Sequence, residues 1–206
     1  MRRAVRVISS QGVVAVLMAL LAASPPPAWA GHLGDSPGQK HAAVQARLAL
    51  HSPDISPGGR ISLSQVYDES GCHGGNASPA LSWSHPPAAT RSFAVLMLDP
   101  DAPGGGWWHW AVFDIPAGAA ALRAGAGDPA RHLLPPGAIQ VRNDFGSPGY
   151  GGPCPPPGPP HHYHVILYAL RVAKLGLDES ASPAKVAAMA RTLAVAEAEI
   201  VGLYGR

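Results

Sequence analysis

The chain reads as antiparallel β-structure followed by one C-terminal helix. Two observations predict this. Short apolar runs, most of them four to seven residues long, are separated by turns rich in Pro and Gly. Near the C-terminus alone, apolar residues recur at helical spacing.

The elements follow in order. Arg47 to Leu50 is a first short strand. Ile61-Ser62-Leu63-Ser64-Gln65-Val66-Tyr67 alternates apolar and polar residues, the period of a half-buried strand, and Leu81-Ser82-Trp83-Ser84 does the same over a shorter span. Ser92 to Leu98, His109 to Ile115, Ile139 to Arg142 and His164 to Leu170 complete the set. Phe93 to Leu98 and Val165 to Leu170 are apolar almost throughout, which predicts central strands covered on both faces. Ser182 is a good N-cap, Pro183 suits the first helical position, and Val186, Met189, Ala190, Leu193 and Ala194 form a helical stripe. Beyond Ala196 the pattern is ambiguous, because Ala196-Glu197-Ala198-Glu199-Ile200 also alternates and Gly202 interrupts it.

Ahead of these elements stands a leader. Arg2, Arg3 and Arg6 precede the apolar run Val13 to Ala23, and Ala28-Trp29-Ala30 is a small-x-small cleavage site. Residues 1–30 therefore read as a secretory signal, too short in its apolar run for a comfortable membrane span. Residues 31–45 read as a flexible mature N-terminus and 46–206 as a single domain. The expected location is periplasmic or secreted. Arg2-Arg3 hints at twin-arginine export, but no polar-aromatic pattern follows the pair, which favours general secretion. Cleavage would remove three of the fifteen Lys and Arg and none of the thirteen Asp and Glu, leaving a net charge of −1. The precursor's pI of about 8.7 is thus no evidence for nucleic-acid binding. The two cysteines, Cys72 and Cys154, both lie in the exported part, where one disulfide is the default.

Two loops carry the candidate chemistry. Asp99-Pro100-Asp101-Ala102-Pro103-Gly104-Gly105-Gly106-Trp107-Trp108-His109-Trp110 puts Asp99 at one strand's exit and His109 at the next strand's entry. Pro and Gly give the path between them a fixed course. Gly149-Tyr150-Gly151-Gly152-Pro153-Cys154-Pro155-Pro156-Pro157-Gly158 leads into His161-His162-Tyr163-His164. Alternation puts His161 and Tyr163 on one face, with His162 and His164 on the other. If the two strands are neighbours, Asp99, His109, His161 and Tyr163 can ring one cavity, with amides of the Gly-rich loop as a floor offering donors to an anion. Each residue also has a plainer reading: Asp99 as a turn cap, His109 and His161 as packed histidines, Tyr163 as a strand aromatic, the tryptophans as core or wall.

Taken together, Asp-Pro-Asp-Ala-Pro followed by Trp-His-Trp, then Gly-Tyr-x-Gly-Pro-x-Pro-Pro-x-Gly before His-x-Tyr, resemble the phosphatidylethanolamine-binding protein family, in its bacterial Raf-kinase-inhibitor-like branch. Gly75-Asn76-Ala77-Ser78-Pro79-Ala80-Leu81-Ser82-Trp83 and Arg142-Asn143-Asp144-Phe145-Gly146 support the resemblance, which spans roughly Tyr67 to Tyr204. It implies an antiparallel β-sandwich, with a large central sheet, a smaller second sheet and a C-terminal helix. It also implies a shallow pocket for phosphate-like or carboxylate groups, carried over to Asp99, Trp108, His109, Gly152, Pro155, His161 and Tyr163, with both cysteines at its rim. Within it, His109 and His161 would anchor the anion, Tyr163 would donate, and Asp99 would orient the histidines and favour their protonation, which burial opposes. The partner so implied is a small anionic ligand, with no cofactor, no metal and no nucleic acid; a protein partner and a homodimer stay open. Kinase and lipid functions do not transfer, since the extra regions that carry them in some members are not recognisable here.

Two other function classes compete. Asp99, His109 and His161 are two histidines and a carboxylate, the donor set of facial-triad iron enzymes. Alternatively the proline-rich loop is the contact surface of a module that inhibits a kinase or protease. Serine hydrolysis is not expected, because the pocket loops supply no obvious nucleophile and Ser70-Gly71-Cys72 lacks a recognisable base.

Overall fold

The computed structural model describes residues 47–206; the expected signal and mature N-terminus lie outside them. Eight strands and one helix appear in the order β1 (Ala49–His51), β2 (Leu81–Ser84), β3 (Ser92–Asp99), β4 (Trp107–Pro116), β5 (Ala121–Leu122), β6 (Ile139–Gln140), β7 (His161–Leu170), α1 (Pro183–Leu193) and β8 (Ala194–Tyr204). They form a three-stranded sheet, β1-β2-β5, and a five-stranded sheet, β6-β4-β3-β7-β8. All of these strand pairings are antiparallel.

The period of two decides which side chain goes to which layer. From the large sheet, Phe93, Val95, Met97, Val112, Val165 and Leu167 face inward with Leu50, Leu81, Trp83 and Leu122 of the small sheet. Ala94, Leu96, Ala111, Phe113, Ile166 and Tyr168 point the other way and pack with Val186, Ala187 and Ala190 of α1. Strand β3 is therefore apolar on both faces because it is covered on both. Full burial of a side chain such as Val186 contributes roughly 1.5–3 kcal/mol.

The helix begins as its sequence indicates, with the Ser182 hydroxyl accepting a hydrogen bond from the Lys185 N–H and Pro183 in the first turn. It ends at Leu193, and the ambiguous stretch becomes β8, whose side chains alternate in burial along β7.

The expected strand over Ile61–Tyr67 is not formed. Its backbone makes successive turns instead, Gln65 N–H to Ser62 O and Val66 N–H to Leu63 O. The carbonyls of Leu63, Ser64 and Val66 accept from Gly75, Ala77 and Asn76. Alternation arose from separate anchors, since Ile61, Val66 and Tyr67 are buried while Leu63 is exposed. Short β5 carries too little pattern to have been read from sequence.

Candidate functional site

Strands β3, β4 and β7 converge at one end of the large sheet around a cavity of about 220 Å3. Asp99, Ala102, Pro103, Trp107, His109, Phe145, Cys154, Pro155, Pro156, His161 and Tyr163 line it.

The acidic loop grips β7 twice. Asp99, almost fully buried, accepts from the Asp101 N–H on Oδ1 (2.9 Å) and meets His161 Nδ1 on Oδ2 (2.7 Å). Asp101 Oδ2 meets both the backbone N–H and the ring Nδ1 of His162, each at 2.7 Å. The N–H of His162, and then its ring, hold the Asp101 carboxyl below the usual carboxylate range. Gly104, Gly105 and Gly106 all have positive φ, between 90° and 111°, so the turn between these clasps and β4 favours glycine. The expected neighbourhood of Asp99 and His161 is thus present, while His162 is held by Asp101 at the loop's outer side.

A β-bulge aims His109. Pairing between β3 and β4 jumps from Met97↔Trp110 to Leu98↔Trp108, leaving His109 as the extra residue. Its side chain then lies on the cavity side, between Tyr163 (ring centroids 5.2 Å) and Phe145 (5.6 Å), both edge-on. The bulge also takes Trp108 away from the pocket in which it was expected. Trp108 packs on the helix side of the sheet with Ala111 and Phe113, and Trp107 lines the cavity.

His109 Nδ1 lies 2.6 Å from the Gly151 carbonyl. That oxygen only accepts, so Nδ1 carries the proton. Burial pushes the His109 pKa down, against the opposing pull of the Gly151 carbonyl and the Asp99 charge. Burial thus disfavours a second proton on this ring, which works against the expected anchoring of an anion by a His109 charge. Tyr163 is pushed up by burial and then by the Asp99 charge, which keeps its proton in place. Among the described residues, four buried side-chain polar atoms have no hydrogen-bond partner, and three of them, Trp107 Nε1, His109 Nε2 and Tyr163 OH, belong to residues of this cavity. Buried polar atoms are rarely left unpaired, so their concentration here points to a ligand-facing surface.

The Gly-rich loop does not supply an amide floor. Gly149, Tyr150 and Gly151 donate to Val141, Gly127 and His109 carbonyls, and the Gly152 N–H donates to Asn76 Oδ1. Gly152 instead permits close approach, since a Cβ there would lie 2.1 Å from the Gln65 carbonyl oxygen. It does not line the cavity, whereas Pro155 does.

Phe145 is a wall residue that its motif, Arg142-Asn143-Asp144-Phe145-Gly146, does not mark as one. Asn143, buried, holds the turn: its Oδ1 accepts from Phe145 and Ser147 N–H groups, and its Nδ2 donates to the Gly149 carbonyl. Phe145 then stacks on Tyr67 (4.2 Å) and meets Trp107 edge-on (5.2 Å). Cys72 and Cys154 form a disulfide with Cα atoms 6.0 Å apart, and Cys154 lies at the cavity wall.

Among the described residues, no three His, Cys, Asp or Glu side chains converge as a metal would require, so the triad reading of Asp99, His109 and His161 lacks a geometric basis. One Gly-x-Ser-x-Gly spacing, Gly34 to Gly38, lies outside the described residues. No helix among the described residues is long and apolar enough to cross a membrane.

This chain is 46% identical over 164 residues to the UPF0098 protein YbcL of Escherichia coli, covering 79% of this chain and 90% of YbcL. It is 39% identical over 158 residues to the UPF0098 protein YbhB of the same organism, covering 76% and 99%. Its fold matches the crystal structure of E. coli YbcL, described as a new member of the mammalian PEBP family, with a TM-score of 0.76 at 45% identity, covering 78% of this chain and 99% of that one. The sequence profile described as phosphatidylethanolamine-binding protein matches residues 51–205, and the chain belongs to that family.

Proposed function

We propose that this protein is an exported small-ligand-binding protein, and that the cavity between Asp99, His109, His161 and Tyr163 takes a phosphate- or carboxylate-bearing anion. The observation that carries the reading is the grouping of unpartnered polar atoms with the Asp99–His161 pair inside otherwise apolar walls. Such a cavity, apolar with a few convergent polar groups, is the usual form of a small-molecule site. Asp99 takes His161 Nδ1, which fixes the ring and turns Nε2 to other partners. When His161 is protonated, that nitrogen is a charged donor. Tyr163 adds a neutral donor. Export rests on the leader pattern in residues 1–30.

The test is calorimetry with phenyl phosphate and with acetate. Wild-type protein should bind at least one of them. His161→Ala should lose about 1.5 kcal/mol or more of affinity, the scale of a hydrogen bond to a charged group, with an unchanged circular dichroism spectrum. Absence of binding by both probes, or an unaffected variant, would overturn the reading.

A further inference from the structure

We propose that the cavity selects oxyanions that bring a proton of their own, phosphate monoesters in the singly ionised P–OH form, over tetrahedral anions of equal charge that have none. This rests on the anion-binding reading above and specifies its ligand class.

The argument begins at His109. Its Nδ1 must donate to the Gly151 carbonyl at 2.6 Å, so a neutral ring has only a lone pair on Nε2. That atom is buried and unpartnered, on a residue that lines the cavity. Burial opposes a second ring proton, although Asp99 and Asp144 contribute negative charge nearby. Asp99 is a second acceptor, its oxygens already taking Asp101 N–H and His161 Nδ1. The donors are Tyr163 OH, Trp107 Nε1–H and, when protonated, His161 Nε2–H.

An anion bearing only lone pairs satisfies the donors but turns an oxygen lone pair toward His109 Nε2. A monoester monoanion has three unesterified oxygens, one of which is a hydroxyl. That hydroxyl can donate to Nε2 while the other two accept from the donors. Sites built to hydrogen-bond a ligand hydroxyl discriminate strongly against analogues lacking it, because a buried polar atom is then left unpaired. The walls of Trp107, Phe145, Pro103 and Pro155 suit an apolar ester group.

The experiment compares phenyl phosphate, phenyl sulfate and methyl phenyl phosphate by calorimetry at about pH 5.5, below the second ionisation of a phosphate monoester near 6. All three then carry mainly one negative charge, and only the first has a hydroxyl. Phenyl phosphate should bind at least tenfold more tightly than either of the others. His109→Asn can keep a donor toward Gly151 but has no ring nitrogen at the Nε2 position, so this preference should fall toward unity. If that variant does not fold, the wild-type comparison still decides. Equal affinities for the three ligands would overturn the selectivity while leaving the anion-binding reading intact. A preference that survives in folded His109→Asn would remove His109 as its source and overturn the proposal. Binding of none of the three, nor of acetate, would overturn both.

Discussion

Burial sets the protonation of His109 against the carboxylates near it. Asp99 and Asp144 favour an imidazolium, the Gly151 carbonyl accepts from the ring, and Tyr163 packs edge-on, yet loss of water dominates and lowers the pKa. In the unfolded chain the ring titrates near its ordinary value of about 6.5. Below that pH the unfolded state binds more protons than the folded state, so the contribution of His109 to stability is complete above it and declines as pH falls toward the lowered folded value. Between about pH 7 and pH 5, melting temperature should fall more steeply for wild type than for His109→Asn, whose side chain does not titrate. Parallel slopes in a thermal-melt series would show that His109 is not held neutral by burial. The Asp99–His161 contact was legible because the acid and the histidine stand in two recognisable motifs. The aim of His109 was not, because nothing in Trp107-Trp108-His109-Trp110 marks which residue the bulge adds. The same omission put Trp108, rather than Trp107, at the cavity.

Elements with one dominant constraint were the ones readable from sequence. β3 is enclosed by β4 and β7 and covered on both faces, so its continuous apolar run had one solution. The start of α1 had two agreeing signals in Ser182 and Pro183. Ile61–Tyr67 had only alternation, and the Gly75–Ala77 segment engages its carbonyls in a geometry that alternation does not encode. Gly152 shows how tight that arrangement is. An added Cβ would lie 2.1 Å from Gln65 O and 2.5 Å from Tyr67 N, backbone atoms that move only with their loop. Tyr67 N–H also bonds to Pro153 O, so displacement of either segment strains the other. Gly152→Ala should therefore destabilise by about 1–3 kcal/mol, the range for overpacking, seen as a lower urea midpoint with the disulfide oxidised. An unchanged midpoint would mean that the two loops separate without penalty.

Across the whole molecule, the disulfide joins these loops more firmly than packing alone. It links Cys72, in the segment after the Ile61–Tyr67 turns, to Cys154 at the cavity wall, across 82 residues of sequence. Most of the small sheet, two central strands of the large one, and the loop that holds Phe145 fall inside that ring. Closing so long a loop reduces the freedom of the unfolded chain, a stabilisation of up to about 4 kcal/mol in the chain-entropy account. Arg206 reinforces the rim from outside, donating through Nε to Pro155 O and through its guanidinium to Gly71 O, on either side of the bridge. Export as proposed predicts a chain that begins at Gly31 and carries an oxidised Cys72–Cys154 pair. Intact mass of periplasmic protein, with and without reductant, reads both features at once: the mature mass, lighter by two hydrogens before reduction. Reduction, or Cys72→Ser with Cys154→Ser, should lower the urea midpoint by an amount corresponding to roughly 2–4 kcal/mol. The phenyl phosphate affinity should fall as well, because Cys154 and Pro155 belong to the cavity wall. Two free thiols in the exported chain, or a reduced form as stable as the oxidised one, would mean that the rim holds without its bridge.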